Sequence, residues 1–234
     1  MNEPEQQSGS SPSRTGALIF GGLMVAVIVV LVIVLTGGDN GDGESESSAA
    51  AGECREVESA SAKQVDLPEP PTAEPSASEV VFETSCGSFT VTLDAEQAPK
   101  TTASFQYLAE EGVFDGTPFH RVAPGFVIQG GDPSGDGTGG PGYSITEAPP
   151  DDLSYTRGLV AMAKTGEEPP GTSGSQFFVI TAEADAGLAP DFALVGEVTD
   201  GFETILAIEE LGGGPGSDGP PSQPVVIETA TVKG

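Results

Sequence analysis

The chain has 234 residues, of which 36 are acidic and 8 are lysine or arginine, for a net charge of −28. That length accommodates one domain of about 150 residues with flanking segments, and that charge repels a polyanion, which excludes nucleic acid as a partner. The two cysteines, Cys54 and Cys86, have neither a C-x-x-C spacing nor a nearby histidine, so they argue against a zinc site and read instead as a structural disulfide of an oxidising compartment.

Residues 1–16 carry a single basic side chain, Arg14, and precede an uncharged run from Ala17 to Leu35 rich in Val, Ile and Leu. At about 1.5 Å per residue such a run crosses a hydrocarbon core of about 30 Å, so 17–36 is expected as a transmembrane helix. Asp39, Asp42, Glu44 and Glu46 follow it, and this charge bias places residues 1–16 in the cytoplasm and the bulk of the chain on the extracytoplasmic side of the cell membrane. The run is too long for a signal-peptide core, and no small-x-small site follows it promptly. From 37 to 78 the sequence is Gly, Ser, Ala, Glu and Pro with few large apolar residues. A segment of this kind cannot bury enough surface to offset its ordering entropy, and it is expected as a disordered tether.

From Glu79 onward short alternating apolar runs are broken by Gly, Pro and Asp, the texture of an all-β sandwich or barrel. The expected strands are Val80–Thr84, Ser88–Leu93, Phe119–Val122, Phe126–Gly130, Leu159–Ala163, Phe177–Thr181, Ala193–Val198 and Val225–Thr231. A helix is expected near Pro99–Glu111, with proline in its first turn and Phe105, Leu108 and Ala109 on one face. A second follows Asp200, with Asp200 and Glu203 as a capping box, Phe202, Ile205 and Leu206 facing inward, and Gly212 ending it. The expected fold of residues 79–234 is therefore mainly β: a closed eight-stranded antiparallel barrel capped by two α-helices.

Conventional catalytic apparatus is scarce. There is one histidine, His120, inside a strand-like run, and it reads as packing; no H-E-x-x-H or P-loop occurs. Asp132 and Asp136 read as turn chemistry, because they lack the spacing of a calcium loop. No metal or cofactor is expected. What stands out is Phe119-His120-Arg121-Val122 followed by Pro124-Gly125-Phe126-Val127-Ile128-Gln129-Gly130-Gly131-Asp132. Two strands joined by a Pro-Gly turn would project Arg121, Phe126 and Gln129 toward one surface. Gly137-Thr138-Gly139-Gly140, Met162-Ala163, Gly174-Ser175-Gln176-Phe177-Phe178 and Phe192-Ala193-Leu194-Val195-Gly196 follow in order.

In these motifs the chain resembles the cyclophilin family of prolyl isomerases over nearly everything from Val80 to Lys233. The resemblance implies Arg121 as the principal catalytic side chain and Gln129 beside it as the residue that orients the substrate. Phe126, Val127, Phe178, Leu188 and Phe192 would form a proline pocket, and Gly137, Ala163 and Gln176 would border the groove for the preceding residue. Rotating an amide needs no nucleophile and no proton transfer, only selective stabilisation of the twisted state. A guanidinium can supply it by hydrogen-bonding the proline nitrogen once that nitrogen has become pyramidal.

The sequence departs from the family pattern at Gly187, where many relatives carry a tryptophan, and at Phe192, where a histidine is common. It also carries a longer segment over Lys164–Gly171, in which Glu167 and Glu168 are expected to favour basic residues before the proline. The expected function is isomerisation of X-Pro bonds in secreted or surface proteins by a monomer held at the membrane; a proline-peptide binding or chaperone module with little turnover is the alternative.

Overall fold

The structure, a computed structural model, describes residues 53–67, 69–72 and 74–234. Strands β1 (Glu79–Thr84) and β2 (Gly87–Leu93) form a hairpin whose alternation buries Val80, Phe82 and Thr84 on one strand and Phe89, Val91 and Leu93 on the other. Helix α1 (Pro99–Glu110) follows, with proline in its first turn and Phe105, Leu108 and Ala109 buried. Then come β3 (Arg121–Ala123), β4 (Val127–Gly130), β5 (Ile145–Thr146), β6 (Leu159–Met162), β7 (Thr172–Ser173), β8 (Phe177–Ile180), β9 (Leu194–Asp200), α2 (Phe202–Glu210) and β10 (Ile227–Lys233). Eight strands form one antiparallel sheet in the order β10-β1-β2-β9-β6-β8-β4-β3, while the two-residue strands β5 and β7, which no sequence pattern announces, pair with each other.

The sheet wraps around a phenylalanine-rich interior. Phe82 and Phe89 stack with centroids 4.9 Å apart, and Phe177 meets Phe105 and Phe114 edge-on at 5.5 and 5.6 Å. Such pairs each contribute about 0.5–1.5 kcal/mol beyond the area they bury.

Three expectations are corrected. The barrel is not closed: the edge strands β3 and β10 form no ladder with each other, and isolated bridges at Pro118–Val226 and Val122–Gly219 join that side of a half-barrel. The segment before β10 explains this, because Pro215, Pro220, Pro221 and Pro224 have no N–H to offer a ladder. The capping box on α2 is not made: Asp200 ends β9, and Gly201 stands at the N-cap with φ 72° and no side-chain cap. A β-carbon there would lie 2.2 Å from the Ser88 carbonyl oxygen, so the approach of β2 requires glycine. On the same helix the buried residues are Thr204, Ile205, Ala207 and Ile208, with Phe202 and Leu206 half-buried.

Among the described residues no helix is long and apolar enough to cross a membrane. The expected span at 17–36 lies outside them, as do 1–16 and the first part of the tether, 37–52. The described remainder of that tether, 53–67, 69–72 and 74–78, lies on the domain, and we call it the strap. Cys54 is disulfide-bonded to Cys86 in the β1–β2 turn. The Arg55 N–H donates to the Ser85 carbonyl at 2.8 Å, and the Ser76 and Ala77 N–H groups donate to Gln106 Oε1 at 2.9 and 3.0 Å.

The disulfide joins residues 32 apart, and a crosslink of that span restricts the unfolded chain by about 2–4 kcal/mol. Reductant should therefore lower the urea midpoint of the chain by that amount of stability. An unchanged midpoint would show that the crosslink adds nothing to the fold.

Candidate active site

Strand alternation sorts the sheet residues into two apolar groups. Val122, Ile128, Val160, Met162, Phe177 and Val179 point into the main core. Their chain neighbours Ala123, Val127, Ala161, Phe178 and Ile180 point to the other face and form a second cluster with the buried Tyr155, onto which Phe126, Ala163, Leu188 and Phe192 pack. The ladder aligns the second face into a transverse row: Arg121 pairs with Gln129, Gln129 with Phe178, and Phe178 with Ala161. The β3–β4 turn sets this register. Phe126 N–H donates to the Ala123 carbonyl at 3.0 Å, Pro124 takes the second position, and Gly125 at φ 76° takes the third, where a type II turn requires a positive φ. Glu209 of α2 accepts from the Gly125 N–H at 2.6 Å and holds the turn in place.

Arg121 is half-buried and tied down on two sides. Its Nε and Nη2 donate to the two carboxylate oxygens of Asp218 at 2.6 and 2.9 Å, and its Nη1 donates to Gln129 Oε1 at 3.0 Å. A guanidinium has five N–H groups, so two remain for a ligand after these three bonds. The hydrogen bonds to Asp218 raise the pKa of Arg121, and the same bonds hold the Asp218 carboxyl below the usual carboxylate value. From Gln129 the chain of bonds continues. Its Nε2 donates to Gln176 Oε1 at 3.0 Å, and Gln176 Nε2 donates to the carbonyls of Gly137 and Gly139, both at 3.0 Å. The Gly-rich loop that receives them is built on Asp132, fully buried, which accepts from the N–H groups of Ser134 and Gly137 at 2.8 and 2.5 Å.

The residues expected as the proline pocket, Phe126, Val127, Phe178, Leu188 and Phe192, fall together in the second cluster. Phe178 and Phe192 meet edge-on at 5.3 Å, and Tyr155 meets Phe192 at 6.0 Å. Gly137, Ala163 and Gln176 line, with Gln129, a cavity of about 890 Å³ next to that cluster. His120 packs under Gly137, its ring carbon Cδ2 3.7 Å from where a β-carbon on that glycine would stand, and burial lowers its pKa. The carboxylate of Glu168 is turned onto its own loop, accepting from the N–H and hydroxyl of Thr165 at 2.6 and 2.9 Å. Lys164 lines the same cavity, with Nζ 5.5 Å from the centre of the Phe192 ring.

Sequence reasoning missed Asp218, Tyr155 and Lys164. Asp218 sits in a Gly/Pro/Ser stretch 97 residues from its partner, and nothing local marks it. Tyr155 carried the better signal, a large aromatic in a polar stretch. Its hydroxyl donates to the Phe192 carbonyl at 2.7 Å and accepts from the Phe192 N–H at 3.0 Å, so one side chain fixes the backbone of a pocket wall.

Tyr155→Phe removes the side-chain partner of both Phe192 backbone groups at a part-buried position, and urea denaturation should show a loss of about 1–3 kcal/mol; unchanged stability would show that these bonds are not needed. Burial pushes the Tyr155 phenol up to about 12, against about 10 in an unfolded chain. The neutral phenol is therefore the folded form: its contribution is complete below about pH 10 and is lost as pH rises through about 12.

Residues 79–232 match the family described as cyclophilin type peptidyl-prolyl cis-trans isomerase/CLD. Peptidyl-prolyl cis-trans isomerase B of Streptomyces anulatus is 40% identical over 170 residues, covering 65% of this chain and 94% of that protein. The protein of the same name from Bacillus subtilis is 48% identical over 111 residues, covering 46% of this chain and 73% of its own. Among solved structures, a cyclophilin type peptidyl-prolyl cis-trans isomerase of Cryptosporidium parvum determined in the presence of the dipeptide Ala-Pro superposes with a TM-score of 0.59 at 30% identity, covering 67% of this chain and 99% of that one. The chain belongs to the cyclophilin-type peptidyl-prolyl cis-trans isomerase family and is an isomerase enzyme.

Proposed function

We propose that this enzyme isomerises X-Pro bonds of secreted or surface polypeptides at the outer side of the cell membrane, with Arg121 stabilising the twisted amide. The observation that carries the proposal is the transverse row, which sets Arg121 and Gln129 directly beside the apolar cluster of Phe126, Val127, Phe178, Leu188 and Phe192. Amide rotation meets a barrier of about 18–20 kcal/mol because resonance is lost at the twisted geometry. The apolar cluster seats the proline ring and excludes water, which strengthens any hydrogen bond made beside it. As the bond twists, the proline nitrogen gains lone-pair character and accepts from the guanidinium. Asp218 and Gln129 have already fixed that group, so little reorganisation remains to be done during the reaction. Gln129, held in turn by Gln176, orients the peptide.

Proline-containing polypeptide substrates fit the dipeptide present with the Cryptosporidium relative. The membrane placement rests on the uncharged run Ala17–Leu35 with Arg14 before it and acidic residues after it, and on a disulfide that suits an oxidising compartment. Uncatalysed X-Pro isomerisation takes tens to hundreds of seconds, slow enough to limit the folding of exported chains.

A protease-coupled assay on an X-Pro peptide tests the role of Arg121. Arg121→Ala should lower kcat/KM by about 10²–10³-fold, the usual cost of removing a donor aimed at developing charge. A variant as fast as the wild type would remove Arg121 from the mechanism.

A further inference from the structure

The strap does more than connect. Over Lys63, Gln64, Val65, Asp66 and Leu67 its residues alternate between half-buried and exposed, with Lys63, Val65 and Leu67 turned to the domain, the periodicity of an extended chain lying on a surface. Backbone bonds fix both ends of this stretch to the Gly-rich loop: Lys63 N–H donates to the Pro133 carbonyl at 2.9 Å and Leu67 N–H to the Pro141 carbonyl at 2.8 Å. The Lys63 ammonium reaches past the loop and donates to the carbonyls of Gly112 and Asp115 at 2.9 and 2.5 Å. Asp66 lies so close to Gly142 that a β-carbon on that glycine would stand 2.8 Å from its carboxylate. Upstream, the Cys54–Cys86 bond and the ion pair between Arg55 and Glu228 hold the strap to the far side of the hairpin.

Between its two fixed points, Val65 forms part of the wall of the cavity that also carries Gln129, Gly137, Ala163 and Gln176. The same side chain packs against the main core. The charges near it are occupied elsewhere: Glu168 binds Thr165, and Lys164 donates to the carbonyls of Thr165 and Glu168 while standing over Phe192. What the strap adds to this cavity is an aliphatic surface.

We propose that Val65 is a specificity-determining residue, so that the strap makes the enzyme favour polypeptides with an aliphatic side chain two residues before the proline. The inference rests on the isomerase reading above: with the proline ring in the Phe126–Phe192 cluster and the preceding residue at the Ala163–Gln176 rim, the next side chain upstream enters the cavity beside Val65. An aliphatic contact in such a pocket discriminates about tenfold.

The test compares kcat/KM of the full chain for Leu-Ala-Pro-Phe and Ala-Ala-Pro-Phe peptides in the wild type, Val65→Asp and Val65→Ala. The wild type should favour the leucine peptide. Val65→Asp should lower the Leu:Ala ratio about tenfold through KM, and Val65→Ala, which deepens the subsite, should shift the preference toward a Phe-Ala-Pro-Phe peptide. If both variants turn over peptides with ratios within about twofold of the wild type, the role of the strap is overturned and the isomerase reading stands. If the wild type turns over none of the peptides, the isomerase reading falls and this proposal falls with it.

Discussion

Everything at the candidate site depends on the cross-strand register of four short strands. Arg121, Gln129, Phe178 and Ala161 stand in one line across β3, β4, β8 and β6, and each has a residue of the main core next to it in its strand: Val122, Ile128, Val179 and Met162 respectively. Side chains alternate with a period of two, so a slip of one residue in any pairing would exchange a site residue for a core residue. The dipeptide Phe177-Phe178 shows the constraint most plainly: the first ring is edge-on to Phe105 and Phe114 inside, and the second is edge-on to Phe192 outside. The interior aromatic packing that stabilises the sheet therefore also sets the register that builds the pocket.

The electrostatics follow from that placement. In a chain of net charge −28, most long-range influences on a cation are generic attraction. Arg121 is distinguished by geometry: a two-point carboxylate contact on one edge and an amide oxygen on another leave a defined pair of N–H groups free. The bond chain through Gln129 and Gln176 then links the guanidinium to the carbonyls of the Gly-rich loop, and the strap is bonded to that loop at Pro133 and Pro141. The Arg121 guanidinium, the groove and the strap are thus parts of one hydrogen-bonded assembly.

Much of this was legible in the sequence where the information is local. Arg121 and Gln129 are eight residues apart across one turn, and the apolar runs fall within two residues of the strands that contain them. Asp218 and Tyr155 act over distances of 97 and 37 residues, and only the folded chain brings them to their partners. The open side of the sheet reflects four prolines before β10, which composition displays but strand counting ignores. The capping box on α2 failed because the pattern Asp200–Glu203 says nothing of the close approach of β2, which demands glycine at 201. The strap was hidden for a related reason: the alternation of Lys63, Val65 and Leu67 is short and sits in a stretch whose overall composition is that of a tether.

The measurement that most directly tests the account is NMR exchange between the cis and trans signals of an X-Pro peptide, recorded with wild-type chain and with Arg121→Lys. Lysine keeps the charge but cannot span Asp218 and Gln129 in one plane. The account predicts that the peptide still binds the variant, seen as unchanged shifts at the Phe178 and Phe192 rings, while cis/trans exchange slows by at least tenfold. Exchange at the wild-type rate in Arg121→Lys would contradict it, because a positive charge in the groove would then suffice without the fixed guanidinium.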